Sequence, residues 1–314
     1  MGQILIVIIS FILIPILIRL KFKLSYALLI SSAVLGILSG GGIQTIIDSV
    51  VDVFVDSSSL TTILSVAMVS ILGGLMKQYK ILEKIVDSML QVINNKKVIL
   101  MIIPAMIGLL VVPGGALLSA PFVNKLGEDI KITTARRSAI NLVFRHAGIL
   151  LLPYSTSLLI VAGTLPQVSI PRVLFLNLLF VLAIYISGYF LYLRDIKVEE
   201  TVIETKNLGK NILNLLFYTS PVYISVIIYA LTGLPFYITL IASVVMVYFI
   251  GNKEDFLKHT IKSFDFDTVL SVIAILVMKG IIINMDGLVT LFNELFTQSE
   301  SVFSIMLVLL ISSS

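Results

Sequence analysis

The sequence contains no cysteine and only two histidines, which do not form an HExxH pattern. Without cysteine there can be no disulfide bond, thiol nucleophile or thiolate metal ligand, and two separate histidines leave little for a metal site. Redox and metalloenzyme chemistry are therefore disfavoured. No cofactor is expected.

Charge is also scarce, since only 13% of the residues are charged, while 58% are hydrophobic. The mean hydropathy of +1.09 excludes a water-soluble chain. The formal net charge is +4, and the lysines and arginines lie in short clusters between apolar runs. In these positions they act as topology signals. We therefore expect an all-α polytopic protein of the inner (cytoplasmic) membrane, with the lipid bilayer as a partner and no nucleic-acid partner.

Apolar runs long enough to cross a hydrocarbon core of ~30 Å recur along the chain. The predicted spans are residues 3–18, 24–42, 58–76, 138–163, 172–193, 211–231, 234–250 and 267–284. The first run lacks the basic region of a signal peptide, so it is interpreted as a retained helix. Two segments of mixed charge, 78–95 and 286–298, are predicted to be amphipathic helices on the membrane surface.

The loops alternate in charge. Arg19, Lys21 and Lys23 follow the first run, acidic residues at 48, 52 and 56 follow the second, and lysines between 77 and 97 follow the third. Because basic loops stay in the cytoplasm, this order predicts that the N-terminus lies outside.

Residues 98–124 predict a re-entrant hairpin. Two apolar arms of about 12 residues each meet at Pro113-Gly114-Gly115, and the next loop is basic. An ordinary span here would place that basic loop outside, whereas a chain that turns back keeps it in the cytoplasm. Irregular backbone at membrane depth is tolerated only where it is buried in protein or lines a cavity, so the tip points to a site. The alternative is a kinked span with a glycine-rich exit loop.

A short motif occurs twice. Thr62-Ile-Leu-Ser-Val66 opens one span and Thr268-Val-Leu-Ser-Val272 opens another, 206 residues later. The two copies enter the membrane from sides of opposite loop charge, which is typical of the inverted repeats of secondary transporters. We expect residues 1–195 to form the first repeat, 196–210 a cytoplasmic linker, and 211–314 a second repeat that is incomplete at its C-terminus, since the equivalent second tip would fall beyond Ser314.

The stretches VVPGGALLSAPFVNKLG and NLVFRHAGILLLP, between Val111 and Pro153, resemble an uncharacterised family of archaeal and bacterial membrane proteins in the ion transporter superfamily. That superfamily includes gluconate, citrate and C4-dicarboxylate permeases. The resemblance implies a transporter with inverted five-span halves and, by analogy, a homodimer. The Pro-Gly-Gly tip differs from the Ser-Asn-Thr type of the citrate and dicarboxylate branches, so their ion and carboxylate contacts are not carried over.

Candidate substrate-binding residues surround the hairpin tip. Pro113, Gly114 and Gly115 would expose backbone N–H groups at a helix N-terminus, which attracts anions. Ser119 could add a neutral hydrogen bond or could belong to helix packing. Asn141 and Arg145 are four residues apart and share a helix face. An arginine at membrane depth is costly, so Arg145 binds substrate or a counter-ion, extends to the headgroups, or forms a structural pair.

Further candidates follow Arg145 in the same predicted span. His146 points about 100° away and is either a proton-coupling group or a neutral interior histidine. Pro153 interrupts helical hydrogen bonding, and Tyr154, Ser155 and Thr156 supply oxygens that could bind substrate or a cation, or that relieve the kink.

Together these observations predict a secondary active transporter of a small organic anion, a carboxylate by analogy, coupled to Na⁺ or H⁺. No paired aspartates, HExxH or GxSxG motif occurs in a predicted span, so an enzyme is not expected. The alternative is a passive channel or lipid-handling membrane protein.

Overall fold

The computed structural model describes residues 2–109, 115–164, 170–197 and 207–285, and these residues form fourteen helices and no strand. The helices are α1 Gly2–Arg19, α2 Leu24–Leu38, α3 Gly42–Val55, α4 Ser57–Gln78, α5 Ile81–Val92, α6 Lys96–Leu109, α7 Gly115–Asp129, α8 Thr134–Ile149, α9 Thr156–Thr164, α10 Ile170–Tyr192, α11 Leu208–Thr232, α12 Phe236–Ile250, α13 Phe256–Ser263 and α14 Phe266–Ile283.

Five of these helices, α1, α4, α10, α11 and α14, are long and apolar enough to cross a membrane. Their 18 to 25 residues correspond to about 27 to 38 Å at the rise of an α-helix, which matches or exceeds a typical hydrocarbon core. The predicted all-α, multi-pass membrane architecture is confirmed. The five corresponding predicted spans agree with these helices within a few residues, whereas α2 and α12 are apolar but only 15 residues long.

The acidic segment after α2 is a helix, although the sequence analysis took it as a loop. In α3 the carboxylates of Asp48 and Asp52 are exposed, while Ser49 and Val53 are buried. Acidic residues four apart share one helix face, so the segment is amphipathic and its short buried face forms no apolar run. The segment between the predicted spans 234–250 and 267–284 likewise contains a short helix, α13.

The predicted amphipathic segment 78–95 contains α5, whose apolar residues are buried against protein. Ile81, Ile85 and Met89 are each no more than 3% exposed, and α5 packs on α11. The Lys84 ammonium donates a hydrogen bond to the carbonyl of Ile250 at 3.3 Å. The amphipathic character is confirmed. The second such segment, 286–298, lies outside the described residues.

The described residues form two compact units, one made of those up to residue 60 and from residue 270 onward, the other of those between residues 61 and 269. In the first unit α2 packs against α1 and α3, and the Ser32 hydroxyl lies 3.2 Å from the carbonyl of Ala274 in α14. In the second unit the most extensive packing joins α6 with α8, and α7 and α10 also pack on α8. The candidate residues of the hairpin region therefore converge on α8.

Two sets of four helices follow the same order: α1 to α4 and α11 to α14 each run as a long apolar helix, a 15-residue apolar helix, a shorter amphipathic helix and a long apolar helix. The second members match in burial as well. The buried residues Leu28, Ser31 and Leu35 of α2 have buried counterparts 212 positions later in α12, Leu240, Ser243 and Val247. This correspondence supports an internal repeat. Its predicted boundaries, and its inversion across the membrane, stay predictions.

Asp56 caps the N-terminus of α4, because its carboxylate accepts the backbone N–H of Ser59 at 2.8 Å. The hydrogen bonds from Ser59 hold the pKa of Asp56 below its usual 3.8. We expect Asp56→Ala to lower the free energy of unfolding by about 1 kcal/mol at pH 7, as for other lost caps. Because the pKa of Asp56 is lower in the folded state than in the unfolded state, its charged carboxylate stabilises the fold at pH values above the unfolded-state pKa. This stabilisation is lost as the pH falls through the folded-state pKa. The difference in unfolding free energy between the two proteins should therefore shrink below about pH 4.

Denaturant unfolding at pH 7 and pH 3 measures both effects. The control is Asp48→Ala, which removes an exposed carboxylate of α3 bonded only to Gln44 among the described side chains. If the Asp56→Ala difference is the same at both pH values, the charged cap is not its cause.

Candidate functional site

Helices α6 and α7 form a hairpin. The Lys96 ammonium at the start of α6 lies 3.5 Å from the Asp129 carboxylate at the end of α7, so the chain returns to where it began. With 14 and 15 residues, each helix is about 21 to 23 Å long and too short to cross the hydrocarbon core. These are the two arms predicted at 98–124. The tip residues Pro113 and Gly114 lie outside the described residues, and entry from one membrane face stays a prediction.

A buried hydrogen bond joins α7 to α8. The Ser119 hydroxyl donates to the side-chain oxygen of Asn141 at 2.6 Å, and both residues are at most 9% exposed. Closer to the end of α7, the Arg137 guanidinium donates to the carbonyl of Asn124 at 3.1 Å. The later residue of α7 thus pairs with the earlier residue of α8, so the two helices are antiparallel. In the same register, the first residue of α7, Gly115, lies level with Arg145.

Arg145 follows Asn141 by one turn of α8 and is half-buried. Its Nε is buried without a hydrogen-bond partner, and its guanidinium forms no ion pair within the part of the chain that the structure describes. The arginine is accommodated by Gly108 of α6, where a β-carbon would lie 2.9 Å from the Cγ of Arg145. Buried polar groups are nearly always hydrogen-bonded in folded proteins. Arg145 therefore has unused hydrogen-bonding capacity at the level of the α7 N-terminus.

The helix that carries Arg145 ends at Ile149, and α9 begins at Thr156. The predicted span 138–163 is consequently not one helix, and the interruption predicted at Pro153 is confirmed. The reason is that proline cannot donate a backbone hydrogen bond and its ring clashes with the preceding turn. One carbonyl left by the interruption, that of Leu150, accepts a hydrogen bond from the Asn177 amide of α10 at 3.3 Å.

Tyr154 anchors this break to α11. It is 1% exposed, its hydroxyl donates to the carbonyl of Val222 at 2.7 Å, and the same oxygen lies 2.6 Å from the hydroxyl of Ser225. Ser155 and Thr156 are half-buried at the start of α9. The Tyr154 hydroxyl is thus satisfied by protein, while a role of Ser155 or Thr156 toward a solute or cation stays a prediction.

His146 is not brought together with the other candidates. Its side chain is exposed, and its Nδ1 lies 2.7 Å from the carbonyl of Leu142 in the same helix. The adjacent helix position turns it away from the face of Asn141 and Arg145, as the helical period predicts. His146 therefore lies away from the helix face of Asn141 and Arg145, and its proton-coupling role stays a prediction.

Two cavities escaped the sequence analysis. A cavity of about 400 Å³ in the second unit is lined by Ser70, Gly74, Lys77, Gln78, His259, Lys262, Ser263, Phe264 and Asp265. A cavity of about 350 Å³ in the first unit is lined by Ser49, Asp52, Val53, Val55, Asp56, Ser59, Leu276, Lys279 and Gly280.

The two cavities occupy equivalent positions in the sequence. Gly74 of the first corresponds to Gly280 of the second at the 206-residue offset of the repeated motif, and four further lining positions correspond in the same way. Applying the 206-residue offset to residues outside the five-residue motif could have located both cavities from the sequence. The equivalence adds a second observation in favour of an internal repeat.

Comparison with curated proteins finds no match to this chain. A family of proteins of unknown function, DUF401, matches residues 2–313, nearly the whole chain. The predicted relation to an uncharacterised family is thereby confirmed, whereas a place in the ion transporter superfamily goes beyond the match. The chain belongs to the DUF401 family of proteins of unknown function.

Proposed function

We propose that this protein is a secondary active transporter of a small organic anion, coupled to protons or sodium ions. The N-terminus of α7, Arg145 and the Ser119–Asn141 pair form one half of its substrate site in this proposal. Membership of the ion transporter superfamily, a homodimer and an external N-terminus in the cytoplasmic membrane belong to the same proposal.

The observation that carries the proposal is the Nε of Arg145, which is buried without a hydrogen-bond partner among the described residues, at the level of the first turn of α7. A charged arginine at membrane depth costs about 2.5 to 3.5 kcal/mol on insertion scales. An anion that bridges the guanidinium and the free N–H groups of α7 would offset this cost, since charge-assisted hydrogen bonds contribute about 1.5 to 3 kcal/mol and a helix N-terminus about 0.3 to 2 kcal/mol. A carboxylate suits the planar fork of arginine.

The surrounding architecture supports transport over other uses of an anion site. The proposal places the ends of the short helices α6, α7, α8 and α9 at membrane depth, where broken helices of secondary transporters bind substrates and coupling ions. The correspondence of α1–α4 with α11–α14 supports the internal repeat that alternating access requires. The oxygens of Ser155 and Thr156 at the start of α9 are the proposed ligands for a coupling Na⁺.

Uptake by proteoliposomes containing the full chain tests this function. Radiolabelled gluconate, citrate, C4-dicarboxylates and amino acids are supplied under proton and sodium gradients that are imposed separately. Gradient-dependent, saturable uptake of an anion is expected. Saturable uptake of only a cation or a neutral solute would contradict the anion site, and a conductance independent of any gradient would favour the alternative, a passive channel.

A further inference from the structure

The cavity lined by α4 and by the segment from α13 to α14, called the basic cavity here, carries an excess of positive charge. Lys77 and Lys262 line it, together with a single carboxylate, that of Asp265. This carboxylate is already engaged, because it accepts hydrogen bonds from the backbone N–H of Thr268 at 3.1 Å and from its hydroxyl at 2.7 Å. Two ammonium groups against one carboxylate leave the lining with a net positive charge, and the carboxylate oxygens are held by Thr268.

A polar atom in the wall of the basic cavity lacks a partner among the described residues. This atom is the Nδ1 of His259, which is buried without a hydrogen bond. Because a buried polar atom without a partner is costly, it indicates a ligand that carries hydrogen-bonding groups.

An apolar stripe runs along α13 to the same cavity. Leu257 is 74% exposed, Ile261 69% and Phe264 39%, and Phe264 also lines the basic cavity. Residues at i, i+4 and i+7 share one helix face, so the three side chains form one continuous exposed surface. An exposed apolar face beside lysines is typical of a helix that lies in the membrane interface.

We infer that the basic cavity binds the phosphate-bearing headgroup of an anionic phospholipid, whose acyl chains lie along Leu257, Ile261 and Phe264. A single ligand then meets both surfaces, since the phosphate pairs with Lys77 and Lys262 and accepts hydrogen bonds, while the hydrocarbon covers the stripe. A free phosphate ion would satisfy only the charges, and a purely apolar partner would leave the lysines unpaired. This site is separate from the proposed anion-transport site and does not depend on it.

The chain contains no tryptophan, so Ile261→Trp introduces a single indole reporter into the stripe. The full-length reporter protein is reconstituted in vesicles of phosphatidylcholine that contain increasing fractions of either brominated phosphatidylglycerol or brominated phosphatidylcholine. Bromine quenches indole fluorescence on contact. We expect half-maximal quenching at a mole fraction of brominated phosphatidylglycerol at least about fivefold lower than that of brominated phosphatidylcholine, the preference that one lysine near a lipid surface supplies.

Lys262→Gln, introduced into the reporter protein, should lower the preference for phosphatidylglycerol over phosphatidylcholine by about fivefold. Lys258→Gln is the matched control, because it removes the same charge from the same helix one turn away, at a residue that does not line the basic cavity. It should reduce the preference less than Lys262→Gln does, because Lys258 adds only general surface charge, while Lys262→Arg should retain the preference and so distinguish lost charge from misfolding.

Three results would overturn the inference. Equal quenching by the two brominated lipids would show that the headgroup is not recognised. Equal losses in Lys258→Gln and Lys262→Gln would assign the preference to general surface charge. Relief of the phosphatidylglycerol quenching by excess inorganic phosphate would identify a site for free anions.

Discussion

Arg145→Gln is expected to reduce uptake of the transported anion by about 10- to 150-fold, which corresponds to the loss of a hydrogen bond to a charged group. Glutamine keeps most of the length of the side chain and a hydrogen-bond donor, but not the charge or the planar fork. Gly108 lies against the backbone and the Cγ of Arg145, which glutamine retains, and the Nε of Arg145 has no hydrogen-bond partner among the described residues, so its loss removes no hydrogen bond from the described fold. The deficit should appear in KM and be reduced in Arg145→Lys, which keeps the charge.

The matched control is Arg136→Gln, about two and a half turns earlier in the same helix. Arg136 pairs with the carboxylate of Asp195, which is 69% exposed, and solvent screening leaves such exposed pairs with little effect on stability. Uptake by this variant should stay within about fivefold of the unmodified protein. Equal loss in the two variants, or none in Arg145→Gln, would remove Arg145 from the substrate site.

Gly148→Ala is expected to have the largest effect on stability, lowering the free energy of unfolding by about 3 kcal/mol or preventing folding. A β-carbon at Gly148 would lie 2.8 Å from the Cα and carbonyl carbon of Ala105, and closer still to its carbonyl oxygen. These are backbone atoms of α6, so no side-chain rotation relieves the clash, and the two helices must separate at their closest approach.

Gly209→Ala provides the control, since a β-carbon there meets no atom within 4 Å. In helix α11 this change should be neutral or should stabilise by up to about 1 kcal/mol, because alanine is the better helix former. Unfolding of both variants by titration with a denaturing detergent, followed by circular dichroism, measures the difference. Comparable stability of Gly148→Ala and Gly209→Ala would mean that α6 and α8 are not in contact at this point.

The long helices could be predicted from the sequence because hydropathy reports directly on residues that face lipid. The break near Pro153 was predictable for a similarly local reason, the missing N–H of proline. The turn between α6 and α7 was predictable from charge, because only a chain that returns keeps the basic residues after Asp129 on the cytoplasmic side.

What the sequence left undetermined depends on contacts between distant residues. The Tyr154 hydroxyl meets Val222 and Ser225, about 70 positions away, and no local pattern identifies that partner. The buried face of α3 comprises only Ser49 and Val53, and α13 has eight residues of which none is buried, so neither segment forms an apolar run that predicts a helix. For Arg145, helix period predicted the face it shares with Asn141, but only the fold shows that Gly108 lies against it.

The brevity of α2 and α12 has a consequence for the surrounding bilayer. Fifteen residues rise about 22 Å, several ångströms less than the usual hydrocarbon thickness. The outward side chains of α12, Ile241, Val245 and Phe249, are 44 to 60% exposed, so this short helix presents an apolar surface suited to acyl chains. Hydrophobic mismatch of this kind thins the membrane locally. Lipids with short or disordered chains should therefore accumulate beside these helices, and bilayer thickness becomes a variable that acts on the stability of the protein.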